Sequence, residues 1–211
     1  MSTNIAVLVS GGGTNLQALI DAQARGDLGG GKITAVISSK AGAYALERAA
    51  KAGIPGFVLP RKEYDSNRAM TLALVEKLKE LKTDLVVLAG CMVIFTRELA
   101  DAYPNAVMNV HPALIPSFCG PGYYGLRVHE EALRYGVKVS GATVHFVTEE
   151  CDGGPIIAQK AVPIQEGDTP EVLQKRIMEQ AEWLLLPQAV SLFCQGRLQV
   201  EGRHVIIKEE A

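Results

Sequence analysis

Asn109 and His111 stand two residues apart at the end of the apolar run Val107–Val110, and an acid, Asp152, sits in the turn Cys151-Asp-Gly-Gly-Pro155. Residues two apart on extended backbone share one face. The three types complement one another chemically. The amide N–H₂ of asparagine can donate to an oxyanion forming on a carbonyl. An imidazole exchanges protons near neutral pH, and a neighbouring carboxylate orients that ring and favours its charged form. Such a set suits acyl transfer to an amine, where a tetrahedral intermediate gains and loses protons. A plainer account uses the same residues: a histidine before proline that packs and hydrogen-bonds, and an aspartate that only forms a turn.

A second candidate lies near the start, in Ser10-Gly-Gly-Gly-Thr-Asn15. Glycines let backbone approach a ligand, and the N-terminus of a following helix offers free N–H groups to a phosphate. The same glycines would also serve a simple tight turn. A dinucleotide fingerprint would need a glycine where the chain has Leu16, and an acid where it has Ser38-Ser-Lys40. A Walker loop would need Gly-Lys-Ser/Thr, which is missing. A monophosphate or single nucleotide therefore fits better than NAD or ATP.

The remaining histidines and the cysteines carry weaker signals. His145 shares a strand face with Gly141 and Thr143 and reads as a structural partner near the site. His129 lacks the H-E-x-x-H spacing of a zinc helix, and His204 falls in a solvated terminal turn. Cys91, Cys119, Cys151 and Cys194 are far apart with no C-x-x-C pair, so they read as reduced thiols of a cytoplasmic protein rather than a disulfide or metal framework.

Alternating strands and helices must position these groups. Asn4–Ser10, Ile33–Ser38, Phe57-Val58, Asp84–Leu88 and Val107–Val110 read as strands. Between them Thr14–Arg25, Ala41–Ala52 and Ser66–Leu81 read as helices. This order predicts an α/β fold, a doubly wound and mostly parallel sheet with helices on both faces. Pro112–Tyr124, with three prolines and two glycines, is a long loop of the kind that serves function. Gly125–Tyr135 reads as a helix, and Ser140–Val147 and Pro155–Pro163 as strands joined by the acidic turn Thr148–Gly154. Thr169–Gln195 reads as one helix capped by Thr169, with Glu171 and Glu179 outward. Leu198–Glu201 and Val205–Lys208 form a C-terminal antiparallel extension.

The 211 residues carry 21 Lys+Arg against 23 Asp+Glu, a formal charge of −2, with 48% hydrophobic residues. That supports one well-buried core and a single domain over 1–211. The balance excludes the basic excess of a nucleic-acid or membrane-surface binder. No run is long enough for a membrane span, and none has a signal peptide's layout.

Three segments together carry a family resemblance: Ser10-Gly-Gly-Gly-Thr-Asn-Leu16, Asn109-Val-His-Pro-Ala-Leu-Ile-Pro116, and Ser140-Gly-Ala-Thr-Val-His-Phe-Val147 followed by Asp152-Gly-Gly-Pro155. From Asn4 to about Gln199 the chain resembles the folate-dependent phosphoribosylglycinamide formyltransferases. The resemblance implies a Rossmann-like formyltransferase fold. It also implies transfer of a formyl group from 10-formyltetrahydrofolate to the amine of 5′-phosphoribosylglycinamide, in de novo purine biosynthesis. By that likeness Asn109, His111 and Asp152 are catalytic, and Gly13, Thr14 and Asn15 take the substrate phosphate. Glu182 meets the substrate amine. Met92, Val93, Ile94 and Phe95, within Leu88–Phe95, lie against the folate with the backbone of Thr148–Asp152, and Arg68 reaches its glutamate. The implied partners are small molecules, with no metal, no ATP, no nucleic acid and no membrane, in a monomer or homodimer.

The chain departs from the family pattern in three places. Cys91-Met-Val-Ile94 has no arginine where relatives often do. Glu182-Trp183 replaces a common Glu-His, in a stretch one residue longer. The loop Cys119–Gly125 is longer than in many relatives. A methionyl-tRNA formyltransferase would carry a further C-terminal RNA-binding domain and a formyltetrahydrofolate hydrolase an N-terminal regulatory one, and neither is expected in 211 residues that begin at the first strand. A non-catalytic nucleotide- or folate-binding module would not need all three polar residues.

Overall fold

A computed structural model describes residues 2–209; the outer limits of the expected domain, 1 and 211, lie outside them. Strands β1 (Thr3–Val9), β2 (Gly31–Ser38), β3 (Gly56–Val58), β4 (Leu85–Leu88) and β5 (Val107–His111) alternate with helices α1 (Thr14–Arg25), α2 (Tyr44–Lys51), α3 (Asn67–Glu80) and α4 (Arg97–Ala102). Then come α5 (Leu126–Tyr135), β6 (Val139–Phe146), β7 (Ile156–Pro163), α6 (Pro170–Ile177), α7 (Trp183–Cys194), β8 (Leu198–Glu201) and β9 (His204–Ile207). The sheet order is β3-β2-β1-β4-β5-β6-β7-β9-β8.

The first five strands pair in parallel. β1 shows why. Its residues Ile5–Val9 are buried on both sides of the pleat, so it needs cover on both faces. Ile5, Val7 and Val9 meet Leu16 and Leu19 of α1 and Leu186 and Val190 of α7. Ala6 and Leu8 meet Leu74 and Leu78 of α3. The chain winds outward from β1 in both directions, so the loops after β1 and β4 diverge and leave a crevice at their carboxyl ends.

From β6 onward the sheet turns antiparallel. β6 runs against β5 with Asn109 opposite His145 and His111 opposite Thr143. The terminal hairpin is antiparallel as expected, and it joins the main sheet through one parallel pair, Ile156 with His204.

Several boundaries differ from the sequence reading for identifiable reasons. Ser66 is the cap of α3 rather than its first residue, its hydroxyl accepting the Ala69 N–H at 3.0 Å. α2 starts at Tyr44, because Gly42 takes a left-handed φ of 75°. α4 is an addition; six residues with only Leu99 buried give no readable period. The expected single helix Thr169–Gln195 starts on its Thr169 cap but is interrupted by a π turn at Met178–Glu182.

Gly141 fixes how closely β6 and β7 approach. A β-carbon there would lie 2.1 Å from the Lys160 carbonyl oxygen and 2.8 Å from Leu114 Cδ2. Gly141→Ala should therefore destabilise the protein by about 1–3 kcal/mol, read as a lower urea midpoint. An unchanged midpoint would show that the strands can part without cost.

Candidate active site

The carboxyl ends of β1, β4 and β5 open into a cleft of about 710 Å³, within the range of small-molecule sites. Its floor is a polar cluster. β5 supplies Asn109 and His111, β6 supplies His145, and the turn before β7 supplies Asp152. Asp152 Oδ2 lies 3.6 Å from His111 Nδ1 and accepts the Gly120 N–H at 2.9 Å. Asp152 Oδ1 lies 3.6 Å from His145 Nε2 and 3.5 Å from Asn109 Nδ2. The side chains of His111, Asp152 and His145 keep only 5%, 9% and 2% exposure.

The hydrogen bonds fix both rings. A carbonyl only accepts, so His111 Nε2 donates to Phe118 O at 2.8 Å and His145 Nδ1 donates to Phe146 O at 2.9 Å. His111 thus turns Nδ1 toward Asp152. His145 turns Nε2 toward Asn109, whose amide donates to it at 3.2 Å. His145, read from sequence as a neighbour, is a member of the cluster.

Burial opposes the charged form of His111 and outweighs Asp152 and the Phe118 carbonyl, which favour it; His145 adds to the lowering, and the net displacement is downward. Asp152 thus favours the charged ring, as expected of a neighbouring carboxylate, while burial carries the net displacement downward. For Asp152 burial raises the carboxyl, but His145, His111 and the Gly120 N–H outweigh it and leave it below its usual value.

At the other end stands the glycine loop. Gly13 caps α1 with φ 72°, and a β-carbon there would meet Ala45 Cβ at 2.6 Å. Gly11 and Gly12 face open space. The turn reading thus holds for Gly13, and close approach to a ligand remains open to the other two. Thr14 and Asn15 follow on the first turn of α1. Asn15 Nδ2 donates to Glu182 Oε2 at 2.6 Å, leaving the buried Asn15 Oδ1 without a partner. Burial pushes the Glu182 carboxyl up to about 7, against the lowering effect of Asn15.

Glu182 closes the π turn. A π turn holds one more residue than an α turn, and here it spans Met178–Glu182. Gln174 and Met178 line the cleft beside Glu182, and no sequence motif marked either one. Met92, Val93, Ile94 and Phe95 form an apolar wall, with Met92 48% and Ile94 59% exposed. The wall is tied to β1 by Met92 N–H donating to Ser10 Oγ at 2.8 Å.

Arg68 stands apart. It is outside the cleft lining, on α3, and pairs with Glu98 at 2.6 Å. The long loop after β5 packs through Phe118, edge-on to Tyr123 and Tyr135, and it presents Tyr123 and Tyr124 to the cleft. His129, on α5, also lines the cleft. It is fully buried, with neither ring nitrogen partnered, and burial, then His111, lowers it to about 4. Its only sequence signal was its place between Val128 and Ala132 on the buried face of α5. All four cysteines are free. Among the described residues no cluster could hold a metal, and no helix is long and apolar enough to cross a membrane.

A polar cluster at the carboxyl ends of a doubly wound sheet stands where such folds place their ligand sites. The chain belongs to the formyl transferase family, whose model matches residues 3–190. It is 43% identical over 197 residues to the phosphoribosylglycinamide formyltransferase of Haemophilus influenzae, covering 93% of this chain and 90% of that one. It is also 43% identical over 208 residues to the trifunctional purine biosynthetic protein adenosine-3 of Bos taurus, spanning 98% of this chain but 20% of that protein. The crystal structure of glycinamide ribonucleotide transformylase 1 from Symbiobacterium toebii superposes with a TM-score of 0.93 at 45% identity, covering 99% of this chain and 95% of that one.

Two outcomes test this electrostatic picture. Asp152→Asn removes the main group that raises His111, so the His111 pKa should fall further in an NMR titration; no fall would contradict the pairing. His129 is lowered from 6.5 to about 4 in the folded protein. Its neutral-form stabilisation is therefore complete above pH 6.5 and lost as pH falls through 4, a change on the order of 3 kcal/mol. The unfolding free energies at pH 7 and pH 4, from urea titration, should differ by about that much less in His129→Gln.

Proposed function

We propose that residues 1–211 act as one formyltransferase domain that moves a formyl group from 10-formyltetrahydrofolate to the amine of 5′-phosphoribosylglycinamide. One observation carries the reading. Asn109, His111 and Asp152 converge in a cleft that is also lined by a glycine loop suited to phosphate and an exposed apolar wall suited to a flat heteroaromatic ring.

The chain's residues divide the work as follows. Gly13, Thr14 and Asn15 hold the phosphate at the head of α1. Glu182 Oε1/Oε2, with a carboxyl near 7, receives the substrate amine. Met92–Phe95 and the backbone of Thr148–Asp152 hold the pterin side. The amine nitrogen then bonds to the formyl carbon. Asn109 Nδ2 donates to the oxyanion as it forms, giving up its long contact with Asp152. His111 Nδ1, a resting acceptor because burial keeps the ring neutral, takes the amine's proton, and Asp152 stabilises the resulting imidazolium. The same proton passes to folate N10 as the carbon–N10 bond breaks. Formylated ribonucleotide and tetrahydrofolate leave with all atoms accounted for. No step calls for a metal or ATP, and cytoplasmic metabolism is the setting this reaction implies.

The purified protein should consume 10-formyltetrahydrofolate only when phosphoribosylglycinamide is present, followed by the absorbance of the folate product. Formate release without that acceptor would instead identify a hydrolase. Asp152→Asn should lower kcat by about 10²–10⁴-fold with an unchanged far-UV spectrum and little change in thermal midpoint. A rate within threefold of the parent would remove Asp152 from the chemistry.

A further inference from the structure

The three carbonyls of the glycine loop are each captured from behind. Gly11 O accepts from the Ala45 N–H at 3.1 Å, and Gly13 O from the Gln17 N–H at 2.9 Å. Gly12 O accepts from Arg48 Nε at 2.8 Å. A trans peptide is planar, with its C=O and the following N–H pointing in opposite directions. Anchoring the carbonyls of Gly11, Gly12 and Gly13 therefore aims the N–H groups of Gly12, Gly13 and Thr14 the other way. Two of these anchors, Ala45 N and Arg48, sit on α2, behind the loop, whereas Gly11–Asn15 line the cleft. The aimed N–H groups face the cleft.

Two of the three anchors are backbone and need no particular side chain. The middle one does. We propose that Arg48 is a positioning residue for the substrate phosphate, acting through the Gly12 peptide without touching the ligand. This rests on the phosphate site of the proposed function and names the device that organises it.

The guanidinium is itself held on several sides. Its Nη1 donates to Gln17 Oε1 at 2.9 Å, and Gln17 Nε2 donates to Asp21 Oδ1 at 2.8 Å. Its carbon lies 5.0 Å over the Tyr44 ring. A planar fork spans Gly12 O and Gln17 Oε1 at once; a lysine ammonium offers no such fixed fork. A charged donor on Gly12 O also polarises that peptide and strengthens the Gly13 N–H as a donor. It adds positive charge beside the head of α1, where an anion is already favoured.

Arg48→Gln should raise KM for phosphoribosylglycinamide about tenfold, with kcat and the KM for 10-formyltetrahydrofolate within twofold of the parent. Arg48→Lys and Gln17→Ala should fall between, the first keeping charge without the fork and the second freeing the fork. With the dephosphorylated acceptor, glycinamide riboside, Arg48→Gln and the parent should perform alike. An equal loss with both acceptors would overturn the proposal, because a general defect in the fold does not read the phosphate. Calorimetric titration with inorganic phosphate tests the clamp without turnover. The parent should bind and Arg48→Gln should bind about tenfold more weakly; equal affinity, or no binding by the parent, would overturn the clamp even if formyl transfer is found. Absence of formyl transfer with the clamp intact would instead remove the functional reading alone.

Discussion

Asp152 carries its charge with a side chain only 9% exposed, and the surroundings of that one carboxylate organise the site. A buried charge must be paired or hydrogen-bonded on every side. Here the partners come from three separate segments: Asn109 and His111 from β5, His145 from β6, and the Gly120 N–H from the long loop. Satisfying the charge therefore docks the loop, fixes the turn before β7, and requires the antiparallel placement of β6 beside β5. Asp152 holds a left-handed φ of 55°, uncommon for a residue with a side chain. Three of its side-chain contacts, at 3.5 to 3.6 Å, are longer than firm hydrogen bonds, and only Gly120 binds at full strength. Loose contacts are the ones that an incoming oxyanion can replace.

Two carboxylates share the cleft and are driven in opposite directions. Asp152 accepts from Gly120 and Asn109, faces two imidazole rings at 3.6 Å, and stays below its usual value. Glu182 has one donor, Asn15, in an otherwise apolar setting and rises to about 7. Pairs of acids separated in this way divide their roles by environment rather than by residue type. The first keeps a permanent charge to stabilise a cation, as the reading for His111 requires. The second changes charge near neutral pH, which suits a group that meets an amine arriving as ammonium and reacting as free base. His111 follows the same logic. Its neighbours favour the charged form, its burial favours the neutral one, and the balance leaves a ring ready to accept.

Much of this architecture was legible in the residues, for physical reasons that can be named. The parallel strands announced themselves as unbroken apolar runs, because a strand covered on both faces has no polar side. Asn109 and His111 could be placed on one face by the two-residue period alone. Asp152 could be grouped with them by residue type but not by position, since its approach to His111 depends on β6 reversing direction and no local pattern encodes that. The register that sets His145 against Asn109 is invisible for the same reason. His129 lay hidden because a buried histidine without metal spacing looks like any polar residue on a helix. Arg68, expected to reach the folate glutamate, pairs with Glu98 outside the cleft lining.

The π turn before Glu182 shows how an irregular helical turn can sit in the core without losing the site. An α-helix turns about 100° per residue, so one inserted residue would swing everything on one side of it by that angle relative to the other. Thr169 caps α6 against the edge of the sheet, and Leu186, Ala189 and Val190 of α7 are buried in the core. Neither end is free to rotate. The π turn at Met178–Glu182 takes up the difference locally, as single-turn π bulges do. Leu173 and Ile177 before it and Leu186 after it remain in the same core. The cost is a weakened stretch of helical hydrogen bonding, and it falls where Met178 reaches Thr14 Oγ1 at 3.7 Å and Glu182 reaches Asn15. The bulge therefore sits where helix and glycine loop meet, and its residues join two walls of the cleft.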